Sequence, residues 1–146
     1  MKPLPRRSGG FTILELMVVV AVISILASVA AVRFNLTLRK AKDGATTANL
    51  GQIRTAINAY YADQTSSYPS SLSVLTVGGQ YLNAFPSTKL SGYHQDSSSV
   101  REGSRASVIN DAGGWAYDNN LNDADFGKLW VNCTHTDTKG SVWTAY

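Results

Sequence analysis

The chain has 146 residues, with 13 basic and 10 acidic side chains and one cysteine. That leaves room for one small folded domain beside any membrane segment, and a single cysteine excludes an intrachain disulfide. The formal charge of +3 is carried by Lys2, Arg6 and Arg7, so residues 11–146 are formally neutral, which argues against a nucleic-acid footprint spread over the domain.

From Phe11 to Val32 the chain is apolar except for Thr12, Glu15, Ser24 and Ser28. At ~1.5 Å of rise per residue this segment makes a helix about 33 Å long, close to the ~30 Å bilayer core, and it is read as a transmembrane helix. It nevertheless carries Glu15. A charge at membrane depth costs roughly 2.5–3.5 kcal/mol on insertion scales, which marks a functional candidate. A buried carboxylate needs a partner, and no Lys or Arg lies between Phe11 and Val32.

Arg6-Arg7-Ser8-Gly9-Gly10 followed by Phe11-Thr12-Ile13-Leu14-Glu15-Leu16-Met17-Val18-Val19-Val20 resembles the N-terminus of type IV prepilins and of the pseudopilins of type II secretion. The resemblance implies that residues 1–10 are a leader, cut by a prepilin peptidase between Gly10 and Phe11, and that the new amine on Phe11 is N-methylated. It also implies an assembly role for Glu15, pairing with the amine of a neighbouring subunit. The physics agrees: that amine is the counter-ion the segment lacks, within one subunit or between staggered ones. An ordinary secretory signal is the alternative. Lys2, Arg6 and Arg7 suit its basic start, and Ser28-Val29-Ala30 is a passable cleavage site. Against it, the apolar run exceeds the usual ~7–15 residues.

A basic cluster follows, Arg33, Arg39, Lys40 and Lys42, which suits lipid headgroups or a solvated helix face. Leu50, Ile53, Ile57 and Tyr60 then recur at helical spacing, and no proline occurs between Pro5 and Pro69. One helix from about Phe11 to Asp63, about 80 Å long, is expected. Many type IV pilins have glycine where Ser24 stands and proline where Val32 stands. Without those breakers the helix is expected to be more continuous, or to melt near Gly44 instead, since proline costs about 3 kcal/mol and glycine about 1 kcal/mol in a helix interior. Gly44 and Gly51 read equally as points of close helix approach and as tolerated surface glycines.

The helix is expected to end between Ala62 and Ser67, ahead of Tyr68-Pro69. Tyr68-Pro69-Ser70-Ser71-Leu72-Ser73-Val74-Leu75 resembles the segment after the long helix in pseudopilins, with Leu72 and Leu75 covering that helix. A loop through Gly78-Gly79 and a turn at Phe85-Pro86 follow, and Ser87 to Ser104 reads as a polar surface loop. Four short runs then read as strands: Ala106–Ile109, Gly114–Tyr117, Lys128–Cys133 and Ser141–Ala145. They are expected to form an antiparallel meander on the Leu50–Tyr60 helix face. Gly113-Gly114-Trp115-Ala116-Tyr117-Asp118 resembles a strand common in small pilin-like proteins.

Asp118, Asn120, Asn122, Asp123 and Asp125 concentrate oxygen ligands and are a candidate calcium site. An EF-hand is excluded, because Asp123 stands where the turn glycine belongs and Leu129 where the bidentate glutamate belongs. Turn-forming Asn and Asp explain the same loop without metal. Cys133 and His135 alternate on a strand and so share a face, but two ligands are too few for structural zinc. Cys133 is therefore expected to be a buried thiol, and His94 and His135 ordinary loop and strand residues. No HExxH, GxSxG or phosphate-cradling glycine loop occurs, so no enzyme is expected. Asn35-Leu36-Thr37 and Asn132-Cys133-Thr134 match the glycosylation sequon by pattern alone.

The expected architecture is α+β and pilin-like: a leader (1–10), a transmembrane and filament-core helix (11–32), and a globular domain (33–146) whose helix packs on a small C-terminal antiparallel sheet. The resemblance implies a subunit of a type IV pilus, placed in the bacterial inner membrane as a precursor and then in an extracellular homopolymer. Its implied partners are the prepilin peptidase, the inner-membrane assembly machinery and copies of itself. The alternatives are a calcium-dependent pseudopilin of a periplasmic pseudopilus, or a membrane-anchored binding module that never polymerises.

Overall fold

A computed structural model describes residues 10–90 and 92–146. The chain divides into two compact units, one ending at Thr37 and the other spanning Leu38–Tyr146. Helix α1 covers Ile13–Asp63 and is helical throughout, including Ser24, Val32, Gly44 and Gly51. Thr65 and Ser66 take left-handed φ values of 51° and 63°. The Ser66 N–H reaches back to Tyr61 O at 3.0 Å, a six-to-one closure that ends the helix where the sequence places its stop.

Every described residue from Gly10 to Ala41 is exposed, and the first buried residue of α1 is Asp43. Within the second unit α1 changes character. Leu50, Ile53, Ala56 and Ile57 are buried at three- and four-residue spacing, so one face enters a core. A 3-10 segment, Leu72–Gly79, buries Leu72 and Leu75 in that core, as expected from Tyr68–Leu75. Thr46 Oγ1 accepts the Lys89 N–H at 2.7 Å, and Asn49 Nδ2 donates to Ser87 O at 2.9 Å. These bonds hold the following loop against α1 by main-chain contacts that apolar periodicity does not report.

The sheet has three strands, β1 (Val100–Gly103), β2 (Trp115–Asp118) and β3 (Leu129–Val131), in the order β1-β2-β3. It is mixed, which corrects the antiparallel expectation. β1 runs parallel to β2, with Val100 opposite Trp115, and β2 runs antiparallel to β3, with Ala116 opposite Trp130. β1 lies inside the stretch read as a polar loop. It is an edge strand whose Arg101 and Glu102 are exposed, a charged edge of the kind that blunts further pairing.

A parallel pair needs a crossover, and the run Ala106–Ile109 supplies it as a short helix, α2 (Arg105–Val108), where a strand was expected. The cause is tertiary: the buried Asp118 carboxylate accepts the Arg105 N–H at 2.9 Å from across the sheet. Ser141–Ala145 also departs from the meander. Val142 forms one bridge to Thr136, and Trp143–Ala145 is a 3-10 turn burying Trp143.

Trp115, Tyr117, Leu129 and Val131 form one core cluster with Leu50, Ile53 and Ile57, so the sheet packs on the predicted helix face. Their polar tips are satisfied: Trp115 Nε1 donates to Pro86 O at 2.8 Å and Tyr117 Oη to Pro69 O at 2.7 Å. On the alternate face, Arg105 lies 4.9 Å over the Trp130 ring. Gly114 must be glycine, because it holds φ +76° and a Cβ there would lie 2.5 Å from Ser99 O.

Candidate functional site

Residues 1–9 of the expected leader lie outside the described residues; the expected junction, Gly10–Phe11, is described. Gly10 and Phe11 are exposed, and a Cβ on Gly10 would meet nothing within 4 Å. Next to them the chain builds a reciprocal cap. Glu15 N–H donates to Thr12 Oγ1 at 3.2 Å, and Thr12 N–H donates to Glu15 Oε2 at 3.1 Å. The Thr12 hydroxyl adds a third bond to Oε2 at 3.0 Å. This is a capping box, two orphan donors of the first helical turn satisfied by each other's residue.

The Glu15 carboxylate therefore has local partners, all neutral. No cation is supplied from within the segment, since residues 11–32 contain none. Thr12 is a residue the sequence reading missed, although Thr-x-x-Glu ahead of an apolar run is the pattern that reveals it. Beyond the cap, 14 large apolar side chains from Phe11 to Val32 are exposed. Ser24 and Ser28 return their hydroxyls to Val20 O and Ile25 O at 2.7 Å, so neither leaves an unmet donor on this surface.

The oxygen-rich loop joins β2 to β3 as a chain of side-chain turns. Asp118 Oδ1 accepts the Asn120 N–H at 2.9 Å, Asn120 Oδ1 the Asn122 N–H at 3.2 Å, and Asp123 Oδ1 the Asp125 N–H at 3.3 Å. Asp125 is held by two cations, Lys128 Nζ at 2.6 Å and Arg105 at 3.3 Å, which keep its carboxyl below the ordinary range. Of the five predicted ligands, Asp118, Asn120, Asp123 and Asp125 thus already accept bonds from backbone or basic groups.

A different set of ligand-bearing side chains converges. One ligand atom each from His94, Asp111, Cys133 and His135 lie within 4.8 Å of one another. The Cys133–His135 pair, read as too small for a metal, gains two members from distant loops. Cys133 is buried and free as expected, just past the end of β3, and burial pushes its thiol up to about 11. Asp111 is partly desolvated, but the Thr134 N–H and the His94 ring hold its carboxyl below the ordinary range.

The family model for the prokaryotic N-terminal methylation motif matches residues 5–31, which include Gly10, Phe11, Thr12 and Glu15. No curated protein and no solved structure matches the chain. Over residues 5–31 the chain carries the prokaryotic N-terminal methylation motif, the prepilin-type signature of type IV pilins and pseudopilins, and it joins this apolar helix to a small mixed sheet in an α+β, pilin-like fold.

Proposed function

We propose that the chain is the precursor of a structural subunit of a type IV pilus or pilus-like filament. It enters the bacterial inner membrane through residues 11–32 and is cut between Gly10 and Phe11 by a prepilin peptidase. It is then methylated on Phe11 and drawn by the assembly machinery into a homopolymer. The observation that carries this reading is the coincidence of the methylation motif with an exposed apolar helix surface.

The energetics divide the labour. Burying one large apolar side chain is worth roughly 1.5–3 kcal/mol relative to water, so 14 exposed ones must be covered by lipid or by other helices. Moving them from lipid into a helical filament core exchanges one apolar surrounding for another, which favours assembly weakly and fixes no register. A charge-assisted contact between Glu15 and the Phe11 ammonium of a neighbour is directional and supplies that register. Cleavage creates this cation, and the carboxylate waits for it in the Thr12 cap.

The test is the N-terminus of the product. Intact mass and N-terminal sequencing of sheared surface or periplasmic filaments should give methylated Phe11 as the first residue, with filaments visible by electron microscopy. A product starting at Met1 or Ala31 refutes the reading, since no ammonium group then arises beside Glu15. Because Gly10 has open space around it, loss of cleavage in Gly10→Ala reports recognition by the peptidase and not misfolding.

A further inference from the structure

A cluster at one end of the sheet, built from residues of the second unit alone, is independent of the proposed filament role. His94 Nε2 lies 3.2 Å from Asp111 Oδ1, His135 Nδ1 lies 3.3 Å from the same oxygen, and Cys133 Sγ lies 3.5 Å from His135 Nδ1. Four ligands around a tetrahedral zinc ion, with bonds of about 2.0–2.1 Å to nitrogen or oxygen and about 2.3 Å to sulfur, stand about 3.3 Å apart for N and O pairs and about 3.6 Å apart for N and S pairs. The three contacts match those separations in order. We propose that His94, Asp111, Cys133 and His135 form a structural site for a divalent metal of the zinc class.

Hydrogen bonding alone leaves these contacts competing. Asp111 Oδ1 already accepts the Thr134 N–H at 2.8 Å, and His135 Nδ1 is within reach of both that oxygen and Cys133 Sγ. A neutral imidazole nitrogen carries at most one hydrogen. A central cation meets all four groups together, with the thiol proton leaving to solvent as Cys133 coordinates as thiolate. The donor set chooses the metal: one sulfur and two imidazoles suit zinc, whereas calcium and magnesium require oxygen ligands.

The surroundings hold the ligands in place. Asn132 is buried, and its Oδ1 accepts the N–H groups of Asn110 and Asp111 at 2.9 and 3.1 Å while its Nδ2 donates to Asn110 Oδ1 at 2.8 Å. This fixes Asp111 in a left-handed conformation, φ 60°. The Tyr93 ring stacks on His135 at 4.1 Å, and Gly113 leaves the space His94 fills, since a Cβ there would lie 3.0 Å from the His94 Cβ. Such outer partners are the usual companions of a metal ligand shell. The ion would join residues 93–94, 110–111 and 133–135, three loops that no disulfide can cross-link in a chain with one cysteine.

The full chain, purified in detergent and stripped with chelator, should bind one Zn(II) with a Kd of about 1 μM or tighter by calorimetry. Its melting temperature should rise with Zn(II) and stay unchanged with Ca(II) or Mg(II). Co(II) should give tetrahedral d–d bands and a near-ultraviolet thiolate charge-transfer band that Cys133→Ser removes. Because Cys133 is buried and its replacement can unfold the chain, His135→Gln, at a partly exposed position, carries the second arm. Folded by circular dichroism, it should weaken Zn(II) binding by 100-fold or more, while Asn132→Ala should weaken it roughly 10- to 100-fold. Equal Zn(II) affinity in the parent and His135→Gln, or a Co(II) spectrum that is octahedral and lacks the thiolate band, overturns the proposal.

Discussion

Thr12 and Glu15 cap each other at the first turn of α1, the Glu15 N–H donating to Thr12 Oγ1 at 3.2 Å and the Thr12 N–H to Glu15 Oε2 at 3.1 Å. The carboxylate is thus already engaged within its own chain. One side chain thus has an observed local role that needs only an acceptor, beside the proposed intersubunit one that needs a negative charge.

Glu15→Gln separates them. Glutamine keeps the capping geometry and loses the charge, so the variant should be cleaved like the parent and show an unaltered helix start. Filament yield, counted by electron microscopy, should fall as far as in Glu15→Ala. Recovery of filaments in Glu15→Gln but not in Glu15→Ala would make the cap, and not the charge, the requirement for assembly.

Tyr117 predicts an alkaline limb. Burial drives its phenol well above the ordinary value, with Glu102, Tyr68 and Asp118 adding to the effect. Below about pH 10 both folded and unfolded chains carry the neutral phenol. Above it only the unfolded chain ionises, so stability falls as pH rises toward the folded-state value. Tyr117→Phe forfeits the bond to Pro69 O and should cost about 1–3 kcal/mol at neutral pH. Its denaturation midpoint should then fall less steeply above pH 10 than the parent's.

Gly44 and Gly51 sit exposed inside α1, and a Cβ on either meets nothing within 4 Å. Replacing each with alanine should stabilise the full chain by about 1 kcal/mol in denaturant unfolding. A stabilised variant that no longer forms filaments would locate these glycines at a close helix contact in the polymer. Normal filaments would make them tolerated surface positions.

Gly114→Ala should act in the opposite sense. Its left-handed backbone costs an alanine about 1–2 kcal/mol, and the 2.5 Å approach to Ser99 O forces the entry to β1 apart. Thermal unfolding should show a loss of more than about 2 kcal/mol. A loss as small as that of an ordinary surface substitution would contradict the tight packing of β1 on β2.

Helix α1 was legible because its signal is local. Apolar residues without proline, one misplaced glutamate and a Gly-Phe junction all act within a few turns, and α1 runs to Asp63 as the spacing of Leu50, Ile53 and Ile57 requires. The burial of Leu72, Leu75 and Cys133 was likewise legible, since each is apolar in a short patterned run.

What the tertiary structure decided rests on partners far away in the chain. Val100–Gly103 has little strand character of its own and becomes β1 because β2 offers it a ladder, whereas Arg105–Val108 turns helical because Asp118 caps it from the sheet. His94 and Asp111 reach Cys133 and His135 only when three loops fold to the same end of the sheet. Sequence alone therefore determined the motif and the helix, whose free energies are summed over neighbours. The mixed sheet and the four-ligand cluster were determined by long-range closure, in which each segment's conformation is chosen by the donor or acceptor it meets.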